Sequence, residues 1–209
     1  MNHFPKYSNG ELKKKADEIG INTEQRELWS QLTLIHYKLR DYTKKKYNRI
    51  NPFIEDLFDW KEKGNYCKSK DTTIYDSATI IGKVKIGENV WIGPHCMIDG
   101  TGGLTIGHHC DISDGVKIFS HDTVKRALTA GKHQTEYAPV SIGNCCFIGT
   151  DTVIIKGVVL GDHCLVGANS LVNKSFPANS IIAGVPAKKI GEIIVKDDDV
   201  QMKFTAEKS

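Results

Sequence analysis

Long apolar runs are missing from this chain: none reaches the ~18 residues that a membrane span requires, and the amino terminus MNHFPKYSNG holds no signal-peptide core. Cytoplasm is therefore the expected compartment, with no membrane span. A strong charge of one sign is missing too. Lys and Arg number 28 against 25 acidic residues, a net of +3, which argues against a dedicated nucleic-acid binder. The six cysteines form no CxxC pair, and the only close pair is Cys145–Cys146. Neither a zinc knuckle nor a disulfide framework is indicated, and reduced thiols are expected.

Glycine is scarce over residues 1–70, a stretch rich in Lys, Glu, Leu and aromatics. Leu28, Leu32, Ile35 and Leu39 recur at helical spacing between Thr23 and Lys46, with Trp29 and Tyr42 beside them. Thr23, followed by Arg26 and Glu27, is the expected start of that helix, and Ile54, Leu57 and Phe58 indicate a short one after Pro52. Residues 1–70 are thus expected to form a helical extension.

From Ile74 the rhythm changes. Apolar residues fall every six positions at Ile74, Ile80, Ile86, Ile92 and Ile98. After a two-residue slip through Gly100–Gly103 they resume at Ile106, Ile112 and Ile118. The series breaks over about 120–139 and returns at Ile142, Ile148, Ile154, Leu160, Val166 and Val172. Position two is often Gly. Position four holds Asn, His, Asp or Gly, types that tolerate positive φ. Position five is small or β-branched and includes Cys96, Cys110, Cys146 and Cys164, where a thiol serves as a compact apolar group. A sheet would alternate every two residues and a helix every 3.6. A period of six predicts a solenoid whose stacked coils share one apolar core.

The pattern Ile-Gly-x-x-(small)-x resembles the hexapeptide-repeat acyltransferases, among them the galactoside, maltose and serine acetyltransferases. The likeness covers about residues 80–191 and is sharpest in FSHD ending at Asp122, in the run 138–177 and in AGVPAKKI. It implies an all-β left-handed parallel β-helix of three hexapeptides per coil over 71–191, with an ejected loop at about 120–139 and a charged tail at 192–209. It also implies a homotrimer.

His121 is the main candidate residue. It stands three positions after an anchor, so a turn role is open to it, but Asp122 occupies the next slot, normally small, and the chain then leaves the solenoid. The resembling sugar O-acetyltransferases carry their catalytic base at this point. A neutral imidazole there is suited to deprotonate a hydroxyl as it attacks a thioester. Asp122 or Asp114 is the candidate to orient the ring, and His133 and Tyr137 in the loop are candidates to touch the acceptor. The resemblance further implies acetyl-CoA as co-substrate, with Thr150, Ala168, Asn173, Lys174 and Lys188 matching its contacts and Lys189 sharing the phosphate charge; no metal is expected. Three departures put galactosides in doubt as the acceptor: Asp122 in place of the usual Pro, Phe147 in place of Trp, and Gly191 in place of a distal Arg. The expected function is O-acetylation of a carbohydrate hydroxyl, on a surface glycan or its precursor. The alternatives are N-acetylation of an amino sugar, a serine acetyltransferase-like activity, and a zinc enzyme of the γ-carbonic anhydrase type built from His95, His109, His121 and His163.

Overall fold

The computed structural model describes residues 9–57, 60–197 and 199–205. Residues 1–8 and 58–59 of the expected extension, Phe58 of its expected short helix among them, and 198 and 206–209 of the expected tail lie outside that range. The chain forms two compact units, Met1–Phe58 and Asp59–Ser209.

The first unit holds helices α1 (Asn9–Glu18), α2 (Thr23–Tyr47) and α3 (Phe53–Leu57). Helix α2 starts at Thr23 as expected, capped by Asn22. The Asn22 side chain accepts the Gln25 N–H at 2.9 Å, and Gln25 Oε1 accepts the Asn22 N–H at 2.9 Å, a closed capping box. Asn48 ends the helix in the left-handed region. Leu28, Leu32 and Ile35 stay exposed along α2.

The second unit opens with α4 (Trp60–Tyr66), which packs on the first strand of the solenoid, although the sequence pattern had grouped it with the extension. The solenoid that the period of six predicts is the left-handed parallel β-helix that the family resemblance implies. Its parallel partners stand 18 positions apart where the rhythm is unbroken, as in Thr73↔Trp91 and Phe147↔Leu165. Three apolar columns result. Ile74, Ile92, Ile112, Ile148, Val166 and Ile182 line the first face. Ile80, Ile98, Ile118, Ile154 and Val172 line the second. Ile86, Ile106, Ile142, Leu160 and Phe176 line the third. Most of these side chains are wholly buried, each worth roughly 1.5–3 kcal/mol of apolar transfer.

The edges obey a different logic. Asn89, His95, His109, Gly115, Asp151, Gly157, His163 and Asn169 all turn with positive φ, as their slot predicts. The position-two glycines do not; they are small because the next coil lies on top of them. A Cβ on Gly107 would stand 2.6 Å from the Gly143 carbonyl oxygen, and one on Gly149 would stand 2.6 Å from the Ala168 nitrogen. Gly107→Ala is therefore expected to cost about 1–3 kcal/mol by overpacking two backbones, read as a lower denaturant midpoint with an unchanged slope.

The two-residue slip is visible as an edge insertion. Gly82 pairs with Gly100 and Val84 with Leu104, so the strand Met97–Ile106 carries two more residues between those pairs than its partner. The described part of the expected charged tail, 192–205, includes paired strands. Ala187–Lys196 and Asp199–Phe204 form an antiparallel ribbon that extends the first face, with Val195 facing Val200 and Ile193 facing Met202.

Candidate functional site

The ejected loop leaves the second face after Ile118 and rejoins the third at Val140. Its two ends are stitched together before it opens outward. His121–Asp122 pairs antiparallel with Glu136–Tyr137. The Ala138 N–H donates to the Ser120 carbonyl at 3.0 Å, and the Gly157 N–H from the following coil donates to the Ala138 carbonyl at 3.2 Å. The loop itself carries the short helix α5 (Val124–Leu128). His121 thus sits on a ribbon, not in the left-handed turn adopted by His95, His109 and His163.

Asp99 holds the ring. Its Oδ2 lies 2.6 Å from His121 Nδ1. The carboxylate is 2% exposed and comes from the coil preceding His121, since Ile98 pairs with Ile118. A buried charge needs donors, and Asp99 has several. Thr101 gives its N–H at 2.9 Å and its hydroxyl, and Ser120 gives its N–H at 3.1 Å. Burial pushes the Asp99 carboxyl up, but the Thr101, His121 and Ser120 hydrogen bonds outweigh it and hold the group at about 2. Asp99 is accordingly ionised at neutral pH and can only accept. His121 must then donate from Nδ1, so in a neutral ring the lone pair is on Nε2. With 34% of its side chain exposed, this imidazole can take a proton from a solute.

The expected orienting residues act elsewhere. Asp122 accepts the Val124 N–H at 3.0 Å and pairs with Lys156 at 3.0 Å. Asp114 lies at the edge between the first and second faces, its carbonyl bonded to the Asp151 N–H. Among the described residues, the carboxylate on the His121 ring is that of Asp99, which replaces both as the orienting group. The pattern carried a signal for it: the Gly100–Gly103 slip lies one coil before the break at 120, so two departures from the rhythm fall at the same edge.

Tyr137 is brought to the site. It is the cross-strand partner of His121, and their ring centroids are 6.1 Å apart at 32°. His133 lies farther along the loop, where its N–H bonds to the Thr129 hydroxyl, and its side chain is exposed. The residues expected to contact acetyl-CoA divide between two edges. Asn173 and Lys174 follow the second face, like His121, with Lys174 Nζ 5.5 Å from the Phe176 ring centre. Thr150 and Ala168 follow the first face, in successive coils. Lys188 pairs with Ala183, whose Cβ would stand 3.2 Å from a Cβ placed on Gly167 of that same edge. Lys189 is held by Glu192 at 2.7 Å.

His108 has a structural setting. On the third edge the His108 Nδ1 accepts the Glu88 N–H at 3.0 Å, and the His108 N–H donates to Asn144 Oδ1 at 2.9 Å. An open depression of about 550 Å³ borders these residues together with Lys68 and Lys85, but the Asp99–His121 pair takes no part in it. Among the described residues, no three His, Cys, Asp or Glu side chains are grouped to hold a metal ion. No described helix is long and apolar enough to cross a membrane.

Two family descriptions match the chain: bacterial transferase hexapeptide (six repeats) at residues 139–174, and hexapeptide repeat of succinyl-transferase at 83–120. The putative colanic acid biosynthesis acetyltransferase WcaF of Escherichia coli is 36% identical over 112 residues, 53% of this chain and 59% of that protein. The galactoside O-acetyltransferase of E. coli is 32% identical over 139 residues, 66% of this chain and 57% of that protein. In both cases the chain spans less than two thirds of the relative's own length. The carnitine operon protein CaiE of a Proteus species is 31% identical over 136 residues, 62% of this chain and 68% of that protein. With three stacked apolar columns built on a six-residue period and a relative matched over two thirds of its length, this chain belongs to the hexapeptide-repeat transferase family.

Proposed function

We propose that this protein transfers an acetyl group from acetyl-CoA to a carbohydrate hydroxyl, with His121 as general base. The observation that carries the reading is the Asp99–His121 pair, a partly exposed imidazole oriented by a buried carboxylate at the mouth of the ejected loop. Nε2 takes the hydroxyl proton as the oxygen attacks the thioester carbonyl. The carbon–sulfur bond breaks in the collapse of the tetrahedral intermediate, and the imidazolium returns its proton to the departing thiolate. Direct transfer of this kind needs no acyl-enzyme. The relatives' names, a galactoside O-acetyltransferase and a putative colanic acid acetyltransferase, support a sugar acceptor.

The cofactor residues fit a site shared by two copies. Asn173 and Lys174 run along the edge that carries His121, while Thr150, Ala168 and Lys188 run along the preceding one. A homotrimer that sets one copy's first edge against its neighbour's second would bring the two sets to one acetyl-CoA. In that arrangement Lys174 and Lys188 face phosphate oxygens as cationic donors.

The test is turnover of acetyl-CoA by purified protein across sugars bearing hydroxyls only and sugars bearing a free amine, with released CoA as readout. Hydroxyl acceptors are expected to be consumed, with a mass gain of one acetyl group. Preferential consumption of amine acceptors would replace O-acetylation with N-acetylation. Absence of CoA release with every acceptor would remove acetyl transfer altogether.

A further inference from the structure

We propose that Lys156 is a positioning residue for this site: its ammonium, seated between Asp122 and Glu136, sets the ribbon that carries the His121 and Tyr137 rings. The kinetic consequence rests on the function proposed above; the structural consequence does not. The ribbon is two residue pairs long, with His121 opposite Tyr137 and Asp122 opposite Glu136. Cross-strand partners share a face, so two rings stand on one side and two carboxylates on the other. Like charges directly opposed across a ribbon push it apart, and so short a ribbon has little packing of its own to resist them.

Lys156 answers that repulsion. Its Nζ lies 3.0 Å from Asp122 Oδ2 and 2.7 Å from Glu136 Oε2, with 21% of its side chain exposed. Lys125 also pairs with Glu136, from a more exposed position on α5. What distinguishes Lys156 is its mounting. It follows Val153–Ile154 in the coil after His121, where Ile154 pairs with Ile118, and the adjoining Gly157 N–H bonds back to the loop at Ala138. The ammonium therefore ties a projecting loop to a rigid rung. The charge states agree: Lys125 and Lys156 hold the Glu136 carboxyl down at about 2, and Glu136 and Asp122 push the Lys156 ammonium up. Nothing in the six-residue pattern marked Lys156, because its slot is an ordinary turn position.

Lys156→Met, Lys156→Arg and the double variant Lys156→Met/Glu136→Gln test this in two ways. Amide hydrogen exchange over residues 119–138 reads the ribbon itself. Lys156→Met is expected to exchange about tenfold faster there at a thermal midpoint near that of the parent, and Lys156→Arg to stay close to the parent. The double variant should recover part of the protection, because one of the two opposed carboxylates is gone. In acetyl-transfer assays Lys156→Met is expected to lower kcat about tenfold or more through a displaced imidazole, with KM for acetyl-CoA within about twofold. Unchanged exchange in Lys156→Met, or a double variant no better than the single one, overturns the proposal. So does a large drop in the thermal midpoint of Lys156→Met, since Lys156 would then support the solenoid as a whole. If the parent protein transfers no acetyl group, the functional reading falls, and the exchange data still decide whether Lys156 sets the ribbon.

Discussion

Replacing His121 with alanine is expected to lower acetyl transfer by about 10²–10⁴-fold, the range that a positioned general base supplies. The loss should fall on kcat, because the imidazole acts on the proton that moves in the transition state rather than on acetyl-CoA binding. The fold should persist. His121 is partly exposed on a ribbon outside the three apolar columns, and Asp99 retains its bonds from Thr101 and Ser120. The measurement is CoA release at saturating acetyl-CoA, with the thermal midpoint followed in parallel. Turnover in His121→Ala equal to that of the parent would end the role given to this residue.

Asp99→Asn should cost a comparable factor, about 10²–10⁴-fold, by a different route. The ionised carboxylate accepts at both oxygens and so compels His121 to donate from Nδ1. In the amide, the oxygen is claimed by the two Thr101 donors, which leaves the NH₂ facing His121. Nδ1 must then accept, the ring proton moves to Nε2, and the atom that should receive the acceptor's proton is already occupied. The same substitution has a signature in stability. The Asp99 carboxyl falls from 3.8 to about 2 on folding, a shift on the order of 2 kcal/mol. Because the folded value is the lower one, this stabilisation is fully present above about pH 4 and is lost as pH falls toward 2. The denaturant midpoint of the parent should therefore decline across that window more steeply than that of Asp99→Asn. Parallel declines would mean that Asp99 is not ionised in the folded protein.

The apolar rhythm made most of the solenoid readable. Fourteen anchors from Ile74 to Val172 mark the three faces, the positive-φ slots mark the edges, and the break after Ile118 marks the ejected loop. The pattern is legible because every coil repeats one steric problem, and each residue type answers a local constraint. Asp99 was not legible as a partner of His121. Its role depends on an axial neighbour in the next coil; the Gly100–Gly103 slip marks the edge where they meet but not which residue meets the ring. Asp122 attracted attention through adjacency, but adjacent residues on a strand point to opposite sides, so it faces Lys156 instead. The helix starts at Thr23 as expected, and the box that caps it is closed by Asn22 and Gln25. The C-terminal ribbon was obscured by the charged run that joins Val195 to Val200.

The acid and the imidazole belong to successive coils, bridged by a 2.6 Å contact. Neighbouring strands in such a stack are held at roughly 4.7–4.9 Å by main-chain hydrogen bonds. The pair is thus a vernier on a single rung of the ladder: whatever spreads that rung by an ångström parts the two groups before the columns beneath have lost any contact. Under the role proposed for His121, competence for proton transfer and integrity of the stack are consequently separate properties, and the first can fail while the second still stands.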